Sequence, residues 1–463
     1  MSSLSFLDRF ARWFVPAPFL QLARDAQWLR RQGKNDAFEF LTSLVFGQLS
    51  ALRLTLNAQA QGLSVPVTRQ AVAQRYTPAA VAYLQSAFAH CLNQTLVGEP
   101  AQPMAHELRA HFAAVYLVDS TAFDAPASLQ QLFPACGGDG SPANVKVLLR
   151  YELISGRLEP LQLLPGKRSE QGLARQVVVP LRENQLQLQD KGFFSAAAWQ
   201  WATAQKAFLL CPLPHAVSLW LPGPTGPEVR LDLAQALAES LQPQVEWTQL
   251  YCGQDPHRFG PVRVGAFRLS PESAGRQRAG LREAQRKQGR IPSAAALQLA
   301  GWLILVTNAP AAKLPSRVLS YLYRARWQIE LIFRQCKWVL RLDATESDNA
   351  CRVQCEIWAR LLAAILIFLW HAHAGAACWQ AHGGEISFEK VCRLFQQWGH
   401  RLARAFLLGG EAVRIDLRAL WRHILKGARK ERQKSRTNTW DRLRDVWLAP
   451  ASPGARQNAV ITA

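Results

Sequence analysis

The stretch Tyr321–Lys337, YLYRARWQIELIFRQCK, sets a lone carboxylate, Glu330, among three arginines, a lysine, two tyrosines and a tryptophan. Laid on a helix at about 100° per residue, Tyr323, Arg326, Glu330 and Lys337 fall within an arc of roughly 60°. Arg334 and Arg341 land close beside them, and the rest of the circumference is largely Leu, Ile, Val, Phe, Trp and Cys. A helix with one polar stripe and an otherwise apolar surface needs a core on most of its sides. The chain must therefore fold around it. A surface ion pair between Arg326 and Glu330, four residues apart, is the simpler reading of those two charges. It leaves the apolar surround without a reason.

Strands supply such a core. AAVYLVDSTAF (Ala113–Phe123) reads as an apolar strand whose VYLV run closes on an acid, Asp119. VKVLLRYELISGRLEPLQLLPG (Val145–Gly166) reads as two strands joined at Ser155-Gly156-Arg157, and a helix-like segment follows from Glu170 to Glu183. LQLQDKGFFSAAAWQWATAQ gives a short strand, Asp190, a glycine turn and a helix. KAFLLCPL (Lys206–Leu213) gives one more strand. Between about 214 and 300, Pro and Gly cluster, the short strands AVSLWL, VEWTQLYCG and VRVGAFRLS appear, and a basic stretch runs to Arg290. WLILVTN then leads into the Glu330 helix.

This texture predicts an α/β fold in five parts. Residues 1–105 form a helical, basic region and 106–213 the first part of a core. Residues 214–300 form a strand-rich insertion subdomain, 301–345 the second part of the core, and 346–463 a helical region. The last region ends in KGARKERQKSR, which reads as a phosphate-contacting arm or a solvated tail.

Charge narrows the partner. Against 33 Asp+Glu stand 54 Lys+Arg, a net charge of +21 over 463 residues. Such a balance favours a polyanion, nucleic acid ahead of an anionic membrane. The most apolar run, LLAAILIFLW (Leu361–Trp370), is ten residues, about half of a spanning helix, and reads as buried core. No segment reads as a membrane or export signal. The nine cysteines are irregularly spaced and read as reduced thiols of a cytoplasmic protein. Cys351 and Cys355, with His371 and His373 downstream, lack a CxxC pair and read as helix packing rather than a zinc site. In the N-terminal region Thr68 and Thr77-Pro78 start two helices. The first presents Arg69, Gln70, Gln74 and Arg75, residue types that read bases and phosphates, or that make an ordinary solvated face.

A carboxylate flanked by cations suits a metal-dependent phosphodiester site, in which acids hold a divalent cation and the cations hold phosphates. Asp119 and Asp190 at strand ends supply further acids. A strand ending in Asp, a second such strand, then a helix bearing Glu is the order of an RNase H-like nuclease core.

At these residues the sequence resembles the bacterial insertion-sequence transposases of the DDE class, in the family marked by a Y-(2)-R-(3)-E-(6)-K signature. Tyr323, Arg326, Glu330 and Lys337 fit that spacing, and VDST, DKGFF and WLILVTN also match, over roughly residues 110–345. Glu170 stands where the family often has an aspartate. The resemblance implies an RNase H-like core interrupted by the strand-rich insertion. It implies cut-and-paste transposition through hairpin ends and strand transfer into target DNA. Asp119, Asp190 and Glu330 would hold two Mg²⁺ ions, with Mn²⁺ as a substitute. Tyr323, Arg326 and Lys337 would grip phosphates near the scissile bond. Trp302 would stack on a base flipped out at the hairpin, since a tryptophan stands at that spacing in the best-studied branch. The partners would be double-stranded DNA, as terminal inverted repeats and target, and a second copy in a homodimeric synaptic complex, acting at the nucleoid with no membrane. The alternative is a catalytically inactive DNA-binding protein of the same fold, against which the intact acids argue. A cationic structural or membrane-surface protein leaves their order unexplained.

Overall fold

The computed structural model describes residues 3–30, 36–50, 54–93, 103–137, 140–223, 226–338, 341, 347–431 and 439–448. Helices come first: α1 (Ser3–Trp13), α2 (Pro16–Asp25), α3 (Ala37–Ser50), α4 (Leu56–Gly62), α5 (Arg69–Ala73), α6 (Pro78–Asn93) and α7 (Pro103–His111). The strands β1 (Ala114–Ala125), β2 (Ala143–Glu152) and β3 (Arg157–Pro165) follow. Then come α8 (Glu170–Val178), β4 (Gln185–Gln189), α9 (Ala196–Ala204) and β5 (Phe208–Pro212). The next stretch holds β6 (Leu219–Gly223), β7 (Gly226–Leu231), α10 (Leu233–Glu239), β8 (Gln244–Cys252), β9 (Phe259–Arg268), α11 (Pro271–Arg286) and α12 (Ala294–Leu299). After β10 (Trp302–Thr307) the chain is helical: α13 (Ser316–Arg324), α14 (Trp327–Trp338), α15 (Ala350–His382), α16 (Phe388–Leu408), α17 (Gly410–Gly427) and α18 (Thr439–Leu448).

These elements form two compact units. The first combines Met1–Ala105, Ser120–Arg168 and Ile329–Ser435; the second combines His106–Asp119, Ser169–Gln328 and Arg436–Ala463.

In the first unit α15 is the core. The expected ten-residue apolar run is the centre of a helix of 33 residues, capped by the Asn349 side chain and ended by Gly383 at φ 59°. By length and composition α15 could cross a membrane, yet 67% of its most apolar window is buried inside the fold. Its sides are covered by α3, α6, α16 and α17. Phe6 and Phe10 of α1 meet Trp370 edge-on, each at 5.5 Å. Aromatic pairs at such angles exceed their area burial by about 1 kcal/mol. Cys355 is buried in this core, where desolvation raises its thiol pKa. His373 stacks on Phe6 at 4.0 Å.

His371, on α15, brings its Nε2 to 3.1 Å from the Ile386 carbonyl. Burial holds its pKa down to about 4; the Ile386 carbonyl and Glu385 pull it up and Lys430 pushes it down. The unfolded chain, with an ordinary histidine pKa, therefore takes up this proton first as pH falls. The stability that His371 contributes is complete above about pH 6.5 and is lost toward pH 4, on the order of 2 kcal/mol. Urea midpoints between pH 4 and 7 check this. His371→Gln, which can still donate to Ile386, should flatten that window; an unchanged slope would assign the acid lability to other groups.

The second unit holds a mixed sheet in the order β1-β4-β5-β10-β9-β8-β6-β7. β1, β4 and β5 are parallel; β10 runs antiparallel to both β5 and β9. Val115, Leu117 and Val118 of β1 and Leu186 and Leu188 of β4 are all 0% exposed, as central parallel strands require. β5 and β10 pair directly, Cys211 opposite Val306, and the strands between them in the chain, β6 to β9, extend the same sheet on the far side of β10. α13 packs on β5, β9 and β10. Its start is tied down by the buried Arg263 of β9, which donates to Glu246, to the Ala309 and Leu314 carbonyls and to Ser316 Oγ.

Several sequence expectations change here. The segment Glu170–Glu183 is helical only to Val178, because Pro180 has no backbone N–H to carry the helical ladder on. The basic stretch before Arg290 is a helix, α11. Tyr321–Lys337 is not one helix. The backbone N–H groups of Ala325 and Arg326 bond three residues back, to Leu322 and Tyr323, at 2.9 and 3.0 Å. That tighter turn ends α13, and a second helix, α14, starts at Trp327.

Candidate active site

The site grows from the register of two parallel strands. β1 and β4 pair from Ala114 opposite Gln185 to Val118 opposite Gln189. Asp119 and Asp190 are the next residue of each strand. Equal register and a period of two put them on the same side, with strand axes about 4.8 Å apart. Asp190 ends its strand, and its Oδ1 accepts from the Lys191 backbone N–H at 2.7 Å, capping the turn Lys191–Phe193.

Arg326, in the turn between α13 and α14, donates from its Nη1 to Asp119 Oδ2 at 3.2 Å. The two side chains are only 15% and 13% exposed. Tyr323 lies alongside, with the Arg326 Cζ 5.6 Å from its ring. Burial drives the Tyr323 hydroxyl far above its usual pKa; Arg326 opposes this and Asp190 adds to it. The phenol is therefore a proton donor at neutral pH. Cys211 of β5 donates through Sγ to the Asp190 carbonyl at 3.4 Å. Burial, then Asp190, pushes its thiol well above the usual thiol range. Asp119, Asp190, Tyr323 and Arg326 are thus gathered in the second unit.

Glu330 and Lys337 belong to the first unit, whose last segment is Ile329–Ser435. Glu330 is half-buried in the first turn of α14, where the helix dipole favours a negative charge. Lys337 Nζ donates to the Ala122 carbonyl of β1 at 2.8 Å. Trp302, at the start of β10, is only 4% exposed, with the Arg268 guanidinium stacked 4.4 Å from its ring centroid. Arg69 is exposed at the start of α5, and Thr68 Oγ1 caps that helix as expected. Arg75 is not on the exposed face. It follows α5 in a turn, is 7% exposed, and burial lowers its pKa.

Two residues beneath Asp190 escaped the sequence reading. Gln187 and Gln189 of β4 are 0% exposed. Gln187 Nε2 donates to Gln189 Oε1 at 2.9 Å, and Gln189 Nε2 donates to the Phe193 carbonyl at 3.1 Å. Their signal was the strict QLQLQ alternation, which puts three amides on one face of a core strand, the last two of them buried. Buried amides are tolerated only when bonded, and these bonds clamp both ends of the turn that follows Asp190. Glu170 presses on the same turn: a Cβ at Gly192 would meet its Oε2 at 1.9 Å. Gln189→Leu should therefore lower the melting temperature, because it takes from the buried Gln187 amide its acceptor, and release the turn, lowering any Asp190-dependent cleavage about 10- to 100-fold. Wild-type cleavage by a folded Gln189→Leu protein would remove this role.

The donor set suits a hard divalent cation. β1 does not close on Asp119 as its sequence suggested but runs on to Ala125; carboxylate oxygens abreast on adjacent strands fit Mg²⁺ or Mn²⁺, which take one or two carboxylates together with water and phosphate oxygens. Among the described residues no three of His, Cys, Asp and Glu converge on one point, so the second unit contributes a carboxylate pair.

Asp119 and Asp190 stand abreast on neighbouring parallel strands, and a helix bearing an acid and cations follows in the chain. Residues 110–366 match the family described as Transposase DDE domain, more than half of the 463 residues. The chain belongs to this family and is a bacterial insertion-sequence transposase by kinship. It is 24% identical over 381 residues to the transposase of insertion sequence IS231F from Bacillus thuringiensis subsp. israelensis, covering 78% of each chain. With the IS231E transposase from B. thuringiensis subsp. finitimus it shares 23% over 463 residues, 96% of this chain and 95% of that one. With the IS1151 transposase of Clostridium perfringens it shares 23% over 368 residues, 75% and 76% of the two chains. A solved piggyBac transposase synaptic complex with hairpin DNA aligns at TM-score 0.45 and 10% identity, over 94% of this chain and 84% of that one.

Proposed function

We propose that the protein cuts the ends of its insertion sequence and joins the freed 3′-hydroxyls to target DNA. The observation that carries this reading is the β1–β4 register, which sets Asp119 beside Asp190 with Arg326 on the former. Asp119, Asp190 and Glu330 would hold two Mg²⁺ ions. When bound, such ions activate the attacking oxygen and stabilise the leaving oxygen of an in-line displacement.

The chain's own residues do the rest. Arg326 offsets the Asp119 charge and offers guanidinium donors that match phosphate geometry. Tyr323 stays protonated and donates a hydrogen bond to a phosphate oxygen. Lys337 retains donors beyond the one given to Ala122. Trp302 offers a ring face to a flipped base at a hairpinned end once Arg268 moves off it; base–aromatic stacking contributes about 1–3 kcal/mol. Arg69 and its exposed helix face belong to end recognition. We read the core as RNase H-like, with residues 214–300 as an insertion, which the adjacent pairing of β5 and β10 supports. The remaining divisions 1–105, 106–213, 301–345 and 346–463 stand as functional regions. The working state is a homodimer on DNA in the cytoplasm.

The experiment is incubation of the full chain, with Mg²⁺, with a duplex carrying the ends of its own element, resolved on a denaturing gel. Nicked, hairpin and joined products are expected. Binding without any product would leave the inactive DNA-binding reading.

A further inference from the structure

Helix α11 has little packing reason to exist. Of its 16 residues only Ala274 is buried. Arg278, Leu281 and Gln285, on the same side, are half-covered, and the remainder is mostly exposed. A helix of this length is marginal alone, and Gly275 and Gly280 inside it each cost about 1 kcal/mol against alanine. Its outer face is cationic instead. From Ser270 to Arg290 the chain carries six cations and two acids. Arg276, Arg282, Arg286, Lys287 and Arg290 are exposed, and Lys287 pairs with Glu283 at 3.0 Å. Arg278 turns inward and its Nε donates to the Leu297 carbonyl at 3.0 Å. Between the exposed arginines lie Gly275, Ala279 and Gly280, and a Cβ added at either glycine would meet nothing within 4 Å. The result is a ridge of cations around a low strip of backbone.

We propose that this face of α11 lies along the phosphates of double-stranded DNA and binds them irrespective of sequence. The inference rests on the DNA reading above and adds a surface to it. Charge complementarity selects the occupant. Arg282 and Arg286 are one turn apart, about 6 Å along the axis, and Lys287 flanks them, a line of cations suited to a regular polyanion. A membrane surface would need aromatic or aliphatic residues on the opposite face. The inner side of α11 offers one leucine, turned toward the protein. The missing side chains at Gly275 and Gly280 let a bulky backbone come close.

The test uses the full chain and two duplexes of equal length, one of random sequence and one carrying the terminal repeat. Binding is measured across a salt series. The triple variant R282Q/R286Q/K287Q should weaken binding to both duplexes by a similar factor, about 10- to 100-fold near 0.1 M salt. The slope of log affinity against log salt should shrink by about 2–3, since each lost phosphate contact removes about 0.9. R282K/R286K should keep the slope. R414Q/R418Q/R422Q on α17, an equal loss of exposed charge, should also keep it. An unchanged slope in the α11 triple, or an equal drop in the α17 triple, overturns the inference. Failure of the wild-type chain to bind either duplex would instead sink the DNA reading beneath it. Melting curves confirm that the exposed substitutions leave the fold intact.

Discussion

Asp190→Asn is expected to abolish end cleavage, by about a thousandfold or more, while changing binding of the same duplex less than about twofold. The substitution is nearly isosteric. An asparagine oxygen can still accept from the Lys191 N–H, now at 2.7 Å from Asp190, so the turn keeps its cap. What is lost is one of two negative charges standing abreast on β1 and at the end of β4. A cation held by that pair loses much of its attraction, and a thousandfold loss corresponds to about 4 kcal/mol of barrier. Asp119→Asn should be equally inactive but should also melt lower, because it removes a negative charge paired with Arg326 at a position only 13% exposed. The readouts are a denaturing gel for cleavage, a mobility shift for binding and a thermal melt. Near-wild-type cleavage by Asp190→Asn would remove it from the metal-binding set.

The largest stability effect should come from Arg263→Ala, about 3–5 kcal/mol. The guanidinium is buried and serves Glu246, two backbone carbonyls and the Ser316 hydroxyl. Removing it leaves the Glu246 carboxylate and two carbonyls without this donor, which is costlier than replacing the whole cluster with apolar groups. Because those carbonyls, Ala309 and Leu314, lie on the approach to α13, the loss also loosens the helix that carries Tyr323. Urea unfolding measures the first effect. Arg263→Lys should recover part of it, since one ammonium can reach some of the acceptors but cannot fork between them. A melting temperature within a degree or two of wild type for Arg263→Ala would show that the cluster contributes little.

The legible parts of this molecule are those governed by short-range periodicity. VYLV before Asp119 and LQLQ before Asp190 read as strands because each is short, and both are strands. The spacing of Tyr323, Arg326, Glu330 and Lys337 pointed to the family that the match over residues 110–366 now establishes. What stayed hidden depends on tertiary contacts. A uniform 100° step cannot foresee that Ala325 and Arg326 tighten into an i to i−3 turn, nor that Arg326 turns to Asp119, 207 residues away. Arg75 looked like a surface cation because nothing in its neighbourhood announces that it is only 7% exposed. The extent of α15 was masked by the Arg, Gln and Glu residues of its first turns. Half-buried Arg352 and buried Arg360 pair there with Glu356, at 2.9 and 3.9 Å.

The interleaving of the first unit sets a timetable for the molecule's birth. Helices α3 and α6 leave the ribosome early, yet the surfaces they cover belong to α15 and α16, synthesised roughly three hundred residues later. Loops that long close slowly, and the apolar faces of the early helices wait uncovered meanwhile. A copy of the gene interrupted before codon 350 would therefore yield a protein with no partner for its first helices, prone to aggregation and proteolysis rather than a dominant-negative DNA binder. Decayed copies of such an element should fall silent as protein, not linger as competitors.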